Sequence, residues 1–174
     1  MEKVLIPKTY VQTIEGPLIF LAGPILGAPN WQDKAIELLF SQQSELTVVS
    51  PRRGIRREIA PYILRGDETY FERQREWERH YMDIAAETGA IMFWLPGEKK
   101  HDCKKVYGAT TRFEIGEWKT RYQLDNNVRL CFGSDGKFPE LRVIEYDLQV
   151  ALPNKTINKT LEETCAEALQ LAYQ

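Results

Sequence analysis

Leu18-Ile-Phe-Leu-Ala-Gly-Pro24 is the stretch that indicates the fold. Its five apolar residues form a continuous run, which is typical of a strand that is covered on both faces of a parallel sheet. Gly23-Pro24 ends the run, and Pro29-Asn30 precedes a helical pattern that begins near Trp31 and extends to about Gln43. A strand, a loop and a helix therefore follow one another in this part of the chain.

The same alternation of strand and helix continues toward the end of the chain. Further strands are predicted at residues 46–50, 90–95, 128–132 and 141–146. Capping boxes that predict helix starts are formed by Thr69 with Glu72, Thr111 with Glu114, and Thr160 with Glu163. With right-handed crossovers, this pattern predicts an α/β fold of the flavodoxin or Rossmann-like kind. We expect a doubly wound sheet of five parallel strands in the order 2-1-3-4-5, with helices on both faces.

Length and composition fit one globular domain, with residues 1–17 as an N-terminal extension. The 174 residues are 43% apolar and 28% charged. A formal charge of −2 gives no general reason to bind a nucleic acid polymer or an anionic membrane, so a small metabolite is expected. Apolar runs such as Leu18–Ala22 are too short to span a bilayer.

The cysteines and histidines indicate no metal or other cofactor. Three widely spaced cysteines favour a reduced, cytoplasmic compartment. His101, Asp102 and Cys103 are adjacent, and three adjacent side chains cannot easily surround one ion. We therefore expect chemistry that the protein's own side chains perform.

The predicted strand order places a crevice beside Glu114. The chain reverses direction between the first and third strands, so the loops at residues 23–30 and 96–111 should face each other. Glu114 would stand at the rim, in the first turn of a helix whose partial positive charge favours an ionised carboxylate. Such a carboxylate can attack an electron-poor carbon. From the spacing alone, a structural helix cap is the more common explanation of Glu114.

Five short motifs follow one another along the chain. They are Phe20-Leu-Ala-Gly-Pro24, Trp31, Ser50-Pro-Arg52, Phe93-Trp-Leu-Pro96 and Phe113-Glu-Ile-Gly116. Their order and spacing, over most of residues 18–172, resemble the nucleoside 2-deoxyribosyltransferase family. The resemblance implies that Glu114, in a Glu-x-Gly pattern, is the nucleophile of a retaining reaction that moves a sugar from one nucleobase to another. It also implies an acidic proton donor late in the preceding helix, for which Asp83 and Glu78 are the candidates.

The resemblance further implies a substrate site without a cofactor. Its candidate residues are Phe20, Gly23, Pro24, Trp31, Pro51, Arg52, Trp94 and Gly116. The expected ligand is a small-molecule nucleoside or nucleotide, and the expected assembly is a homo-oligomer. For Asp83 and Glu78, a solvated position on the helix surface is the plain alternative, and for the tryptophans it is core packing.

Two departures from the family pattern leave the reaction open. Phe20 stands where many members carry a tyrosine, and Gly108 stands where some carry an acid. Both suggest a branch that hydrolyses the glycosidic bond of a nucleoside or nucleotide with water. The cluster Arg52, Arg53, Arg56 and Arg57 could bind a 5′-phosphate or could be solvated surface. An alternative of another class is a non-catalytic nucleotide sensor.

Overall fold

A parallel sheet of six strands forms the centre of the fold. The computed structural model of the chain describes residues 3–7, 9–52, 63–64 and 71–174. In chain order the strands are β1 (Lys3–Leu5), β2 (Thr9–Tyr10), β3 (Leu18–Ala22), β4 (Thr47–Val49), β5 (Ile63–Leu64), β6 (Ala90–Leu95), β7 (Leu130–Ser134) and β8 (Ile157–Asn158). Across the sheet the order is β1-β4-β3-β6-β7-β8, whereas β2 and β5 form a separate antiparallel pair.

Helices cover both faces of the sheet. They are α1 (Trp31–Gln42), α2 (Phe71–Thr88), α3 (Ala109–Leu124), α4 (Leu141–Ala151) and α5 (Leu161–Ala172). Leu18, Phe20 and Ala22 of β3 pack with residues of α2, α3 and α4, while Ile19 and Leu21 pack with α1 and α5. Because successive side chains of a strand point to opposite faces, a strand covered on both faces is apolar throughout.

The predicted α/β class is confirmed, but the predicted sheet of five strands in the order 2-1-3-4-5 is wrong. Four predicted strands are the neighbours β4, β3, β6 and β7, in the expected order. The predicted fifth strand, 141–146, instead begins α4. Leu141 and Leu148 are buried seven residues apart, and Ile144 packs between them, which is helical spacing. The edge strands are β8 and β1.

The segment predicted as an N-terminal extension belongs to the fold. Residues 3–5 form the edge strand β1, and residues 9–10 form β2. Trp77 of α2 donates a hydrogen bond from Nε1 to the carbonyl oxygen of Thr9 at 2.6 Å. The backbone N–H of Val11 donates to the hydroxyl of Tyr81 at 3.1 Å. These contacts attach the segment to α2.

The three predicted capping boxes have different outcomes. Thr160 and Glu163 form the reciprocal box at the start of α5, as predicted. The box of Thr111 and Glu114 is wrong, because α3 begins at Ala109, after Gly108 in a left-handed conformation with φ 65°. Thr69 lies outside the described residues, and the box that it was predicted to form with Glu72 therefore lies outside them too.

None of the helices in the described ranges combines the length and the apolar character that crossing a membrane requires. The longest, α2, has 18 residues, and many of its side chains are charged.

Candidate active site

A cavity of about 1180 Å³ opens at the carboxyl ends of the central strands. Its walls are the loop after β3, the residues after β4, the loop after β6, the start of α3 and one side of α2. The loops at 23–30 and 96–111 face each other there, as predicted. The carbonyl oxygen of Gly27 joins them, because it accepts hydrogen bonds from the N–H groups of Lys99 at 2.7 Å and Lys100 at 3.0 Å.

Two buried carboxylates lie on the wall of this cavity and share one arginine. Arg75 donates from Nη1 to Oε1 of Glu114 at 2.6 Å, and the same nitrogen donates to Oε2 of Glu78. Gln74 donates to the other oxygen of Glu78 at 3.0 Å. Glu114 and Glu78 are each only 7% exposed. Arg75 thus links Glu78, on the same helix α2, to Glu114 on α3.

The electrostatic environment of Glu114 differs from the one predicted. Burial raises the pKa of Glu114 to about 7, although the hydrogen bond and the charge of Arg75 act to lower it. The negative charges of Glu78 and Glu117 raise this pKa further. The sequence predicted that the N-terminus of a helix keeps Glu114 ionised. That prediction is wrong, because Glu114 lies beyond the first turn of α3, which contains no acidic residue. Near neutral pH, Glu114 therefore exists in both protonation states.

Arg75 stays charged in this environment. Burial alone lowers the pKa of its guanidinium, but the hydrogen bonds and charges of Glu114 and Glu78 more than compensate and raise it. A cation in contact with two buried carboxylates offsets much of the free energy that their desolvation costs. Arg75 is therefore the counter-ion of the pair.

Five of the predicted substrate-binding residues line the cavity: Phe20, Gly23, Pro24, Pro51 and Arg52. Phe20 is 1% exposed and packs against Trp77, with 6.3 Å between the ring centroids. Gly23 has φ 152°, and a Cβ there would lie 2.3 Å from the carbonyl oxygen of Trp94. Only glycine allows that approach of the two backbones.

Arg52 supports the cavity wall. Its Nε donates to the side-chain oxygen of Gln32 at 2.8 Å, and its Nη2 donates to the carbonyl oxygens of Ile25 and Pro29, each at 3.3 Å. These contacts fix the loop that follows β3. The guanidinium of Arg52, which was predicted to contact a phosphate, thus already binds protein oxygens. The other predicted arginines, Arg53, Arg56 and Arg57, lie outside the described residues.

Four other predicted residues do not line the cavity. Trp31 is buried beneath the loop and donates from Nε1 to the carbonyl oxygen of Pro24 at 3.0 Å. Trp94 packs in the cluster of α1 and α5. Gly116 is exposed on α3. Asp83 is exposed on α2 and accepts a hydrogen bond from Arg121 at 2.6 Å. Of the two candidate proton donors, Glu78 is the one beside Glu114.

Sequence reasoning missed Arg75 and Gln74. Both precede Glu78 on α2, by three and four residues, which places them on the same side of the helix. That spacing was the available signal. Within the described parts of the chain, no group of His, Cys, Asp and Glu side chains has an arrangement that could hold a metal ion. His101 instead contacts Glu98 through Nδ1 at 2.9 Å.

A comparison of the chain with models of protein families gives no match. A comparison with curated proteins also gives none.

Proposed function

We propose that this protein is an enzyme of the nucleoside 2-deoxyribosyltransferase kind. It cleaves the N-glycosidic bond of a nucleoside with Glu114 as the nucleophile and transfers the sugar to another nucleobase. The observation that supports this proposal is the contact of two buried carboxylates, Glu114 and Glu78, with one nitrogen of Arg75 in a single cavity.

The separation of the carboxylates favours a retaining reaction. Because both oxygens are in hydrogen-bond contact with the same nitrogen, they lie no more than about 5 Å apart. Retaining glycosidases hold their two carboxyl groups about 5 to 5.5 Å apart, whereas inverting enzymes need about 6.5 to 9.5 Å for a water molecule. This separation supports Glu114 as the group that attacks the sugar and Glu78 as the group that exchanges a proton with the base.

The reaction has two displacements. In the first, an oxygen of Glu114 forms a bond to C1′, the bond from C1′ to the base nitrogen breaks, and Glu78 donates its proton to that nitrogen. In the second, a ring nitrogen of another base attacks C1′ of the glutamyl ester. Glu78 then accepts the N–H proton of the acceptor, and the carboxylate of Glu114 is regenerated.

The cavity has the size and character that such a substrate requires. Its volume of about 1180 Å³ exceeds what a nucleoside fills, since small-molecule sites span roughly 300 to 1000 Å³. Phe20, Pro24 and Pro51 supply apolar wall beside the carboxylates. The double displacement uses the two carboxylates alone and involves no cofactor. The homo-oligomer implied by the family resemblance stays a prediction that gel filtration checks.

Base exchange is the test of this proposal. The protein is incubated with a 2′-deoxynucleoside and a different free base, and the products are separated by chromatography. We expect exchange with the wild type and a loss of about 10³-fold or more with Glu114→Gln, as for the removal of other catalytic nucleophiles. Mass spectrometry should detect the deoxyribosyl ester on Glu114.

Matched variants on α2 assign the proton donor. Glu78→Gln should impair exchange, whereas Asp83→Asn, five residues along the same helix and outside the cavity, should leave it intact. Free base and free sugar without transfer would indicate the hydrolase. Reversible binding of nucleotides without turnover would indicate the sensor and exclude the proposal.

A further inference from the structure

We infer that Arg75 is a positioning residue whose guanidinium follows the negative charge as it moves between Glu114 and Glu78 during the reaction. This inference rests on the proposed function. It concerns one arginine that no sequence motif indicated.

Each carboxylate contacts Arg75 through one oxygen, and the two carboxylates differ in what their other oxygen contacts. One Arg75 nitrogen, Nη1, contacts an oxygen of both carboxylates, so a small rotation of the guanidinium favours either one. Gln74 holds the second oxygen of Glu78. Across the described ranges, Glu114 forms no hydrogen bond through Oε2, and that oxygen can approach a sugar carbon.

The two displacements move one negative charge from Glu114 to Glu78 and back. In the form that reacts, Glu114 is a carboxylate and Glu78 carries the proton that it gives to the base. After the first step, Glu114 is a neutral ester and Glu78, having lost its proton to the base, is a carboxylate. The second step reverses this change. Arg75 thus always has one ionised partner, and no step leaves a buried charge without a counter-ion, which costs several kcal/mol.

Two other charged groups nearby, Glu117 and Arg52, have different partners. Glu117, on the next turn of α3, accepts hydrogen bonds from Arg79 and Arg121. Arg52 binds loop carbonyl oxygens and Gln32. The remaining charged residues on the cavity wall belong to the loop after β6 and are Glu98, Lys100, His101, Asp102 and Lys105. Among the described residues, Arg75 is therefore the cation that contacts the carboxylate pair.

Variants of Arg75 test the inference through the pH dependence of kcat/KM for base exchange. Arg75→Gln removes the charge, and we expect the acid limb of the profile to move to higher pH by about one to three pH units. Arg75→Lys keeps a cation that one nitrogen can present to either carboxylate, so its limb should stay near that of the wild type. Arg79→Gln, one turn later and outside the cavity, is the matched control.

The inference fails if Arg75→Gln and Arg79→Gln have the same acid limb, or if Arg75→Gln lowers kcat/KM by one factor at every pH. If Arg75→Gln does not fold, Glu78→Gln decides, assayed with a deoxynucleoside of a 7-methylated purine, whose cationic base leaves without a proton. Arg75 is then the counter-ion of Glu114 alone, so the pKa of Glu114 should fall and the acid limb should move to lower pH. An unchanged limb overturns the inference.

These outcomes are separate from the test of the proposed function. Wild-type protein that exchanges no base overturns the proposed function itself. Wild-type protein that exchanges bases through Glu114, with an acid limb insensitive to Arg75, overturns the inference alone.

Discussion

Burial raises the pKa of Glu114 and the Arg75 guanidinium lowers it, and burial has the larger effect. The resulting pKa of about 7 leaves roughly half of the Glu114 side chains ionised at neutral pH. In the proposed reaction Glu114 must be ionised to attack, and a more basic carboxylate is the better nucleophile once it has lost its proton. At the scale of this one residue, the site is therefore adjusted to neutral conditions.

The activity of the wild type should follow this ionisation. We expect kcat/KM for base exchange to rise about tenfold per pH unit as the pH increases toward about 7, because the free enzyme must lose the Glu114 proton. Measurement between pH 5 and pH 9 at constant ionic strength checks it. A profile that is flat down to pH 5 contradicts the assignment of Glu114.

The same residue should make stability depend on pH. The folded pKa of Glu114 is raised above its ordinary value of 4.5, so its contribution to stability is complete below 4.5 and is lost as pH rises through about 7. Between pH 5 and pH 8, the free energy of unfolding of the wild type should fall by about 2 to 3 kcal/mol relative to Glu114→Gln. Urea unfolding of both proteins measures this difference, and parallel pH dependences exclude it.

Sequence motifs located Glu114, but not the cation that accompanies it. Arg75 is one charged residue among many on α2, and its contact with Glu114 joins residues 39 positions apart. Such a contact depends on how two helices are placed on the sheet, which local pattern does not determine. For the same reason, the sequence left Glu78 and Asp83 as equal candidates.

At the scale of the elements, α3 carries a glycine that its surroundings do not require. A Cβ on Gly116 would meet nothing within 4 Å. We expect Gly116→Ala to stabilise the protein by about 0.5 to 1 kcal/mol, because alanine restricts the unfolded chain and favours helix. Base exchange should be unchanged, since Gly116 lies outside the cavity. Thermal unfolding and the exchange assay check both expectations.

Gly89 is the contrasting control. A Cβ there would lie 1.8 Å from the carbonyl oxygen of Leu18, so Gly89→Ala should destabilise the junction of α2 and β6. Loss of activity in Gly116→Ala without loss of stability would restore Gly116 to the substrate site implied by the family resemblance.

The elements also illustrate where sequence patterns mislead. Residues 141–146 contain apolar side chains at short spacing, which resembles a strand, but Val143 and Tyr146 are exposed while Leu141 is buried. Only the longer spacing to Leu148 reveals α4. The first turn of α3 was misplaced for a related reason, because the left-handed Gly108 starts the helix without a side-chain cap.

At the scale of the whole molecule, the order of the central strands could be predicted and the sheet edges could not. The runs of β3 and β6 are apolar on both faces, and right-handed crossovers restrict their neighbours. The edge strands β1 and β8 contain three and two residues, which is too short for a periodic pattern. Their pairing depends on the sheet that is already present.

The cavity depends on the connection of two loops through Gly27. Its φ is 79°, and a Cβ there would lie 2.9 Å from the carbonyl oxygen of Lys100. Gly136 has the same φ of 79°, but its Cβ would meet nothing within 4 Å. Both alanine variants should lose roughly 1 kcal/mol of stability to backbone strain. Only Gly27→Ala should also raise KM severalfold, as steady-state base exchange would measure; equal KM values would refute this.

Every neighbouring pair in the six-stranded sheet is parallel, which affects the time the chain needs to fold. No strand of that sheet can pair with the next through a hairpin, and β3 meets β6 only when Ile19 reaches Ala90. At synthesis rates of about 5 to 20 residues per second, that partner leaves the ribosome roughly 4 to 15 seconds after β3. During those seconds β3 can pair with β4, but its other edge stays unpaired. The shielding of that edge, more than the final stability, should decide how much newly made protein escapes aggregation.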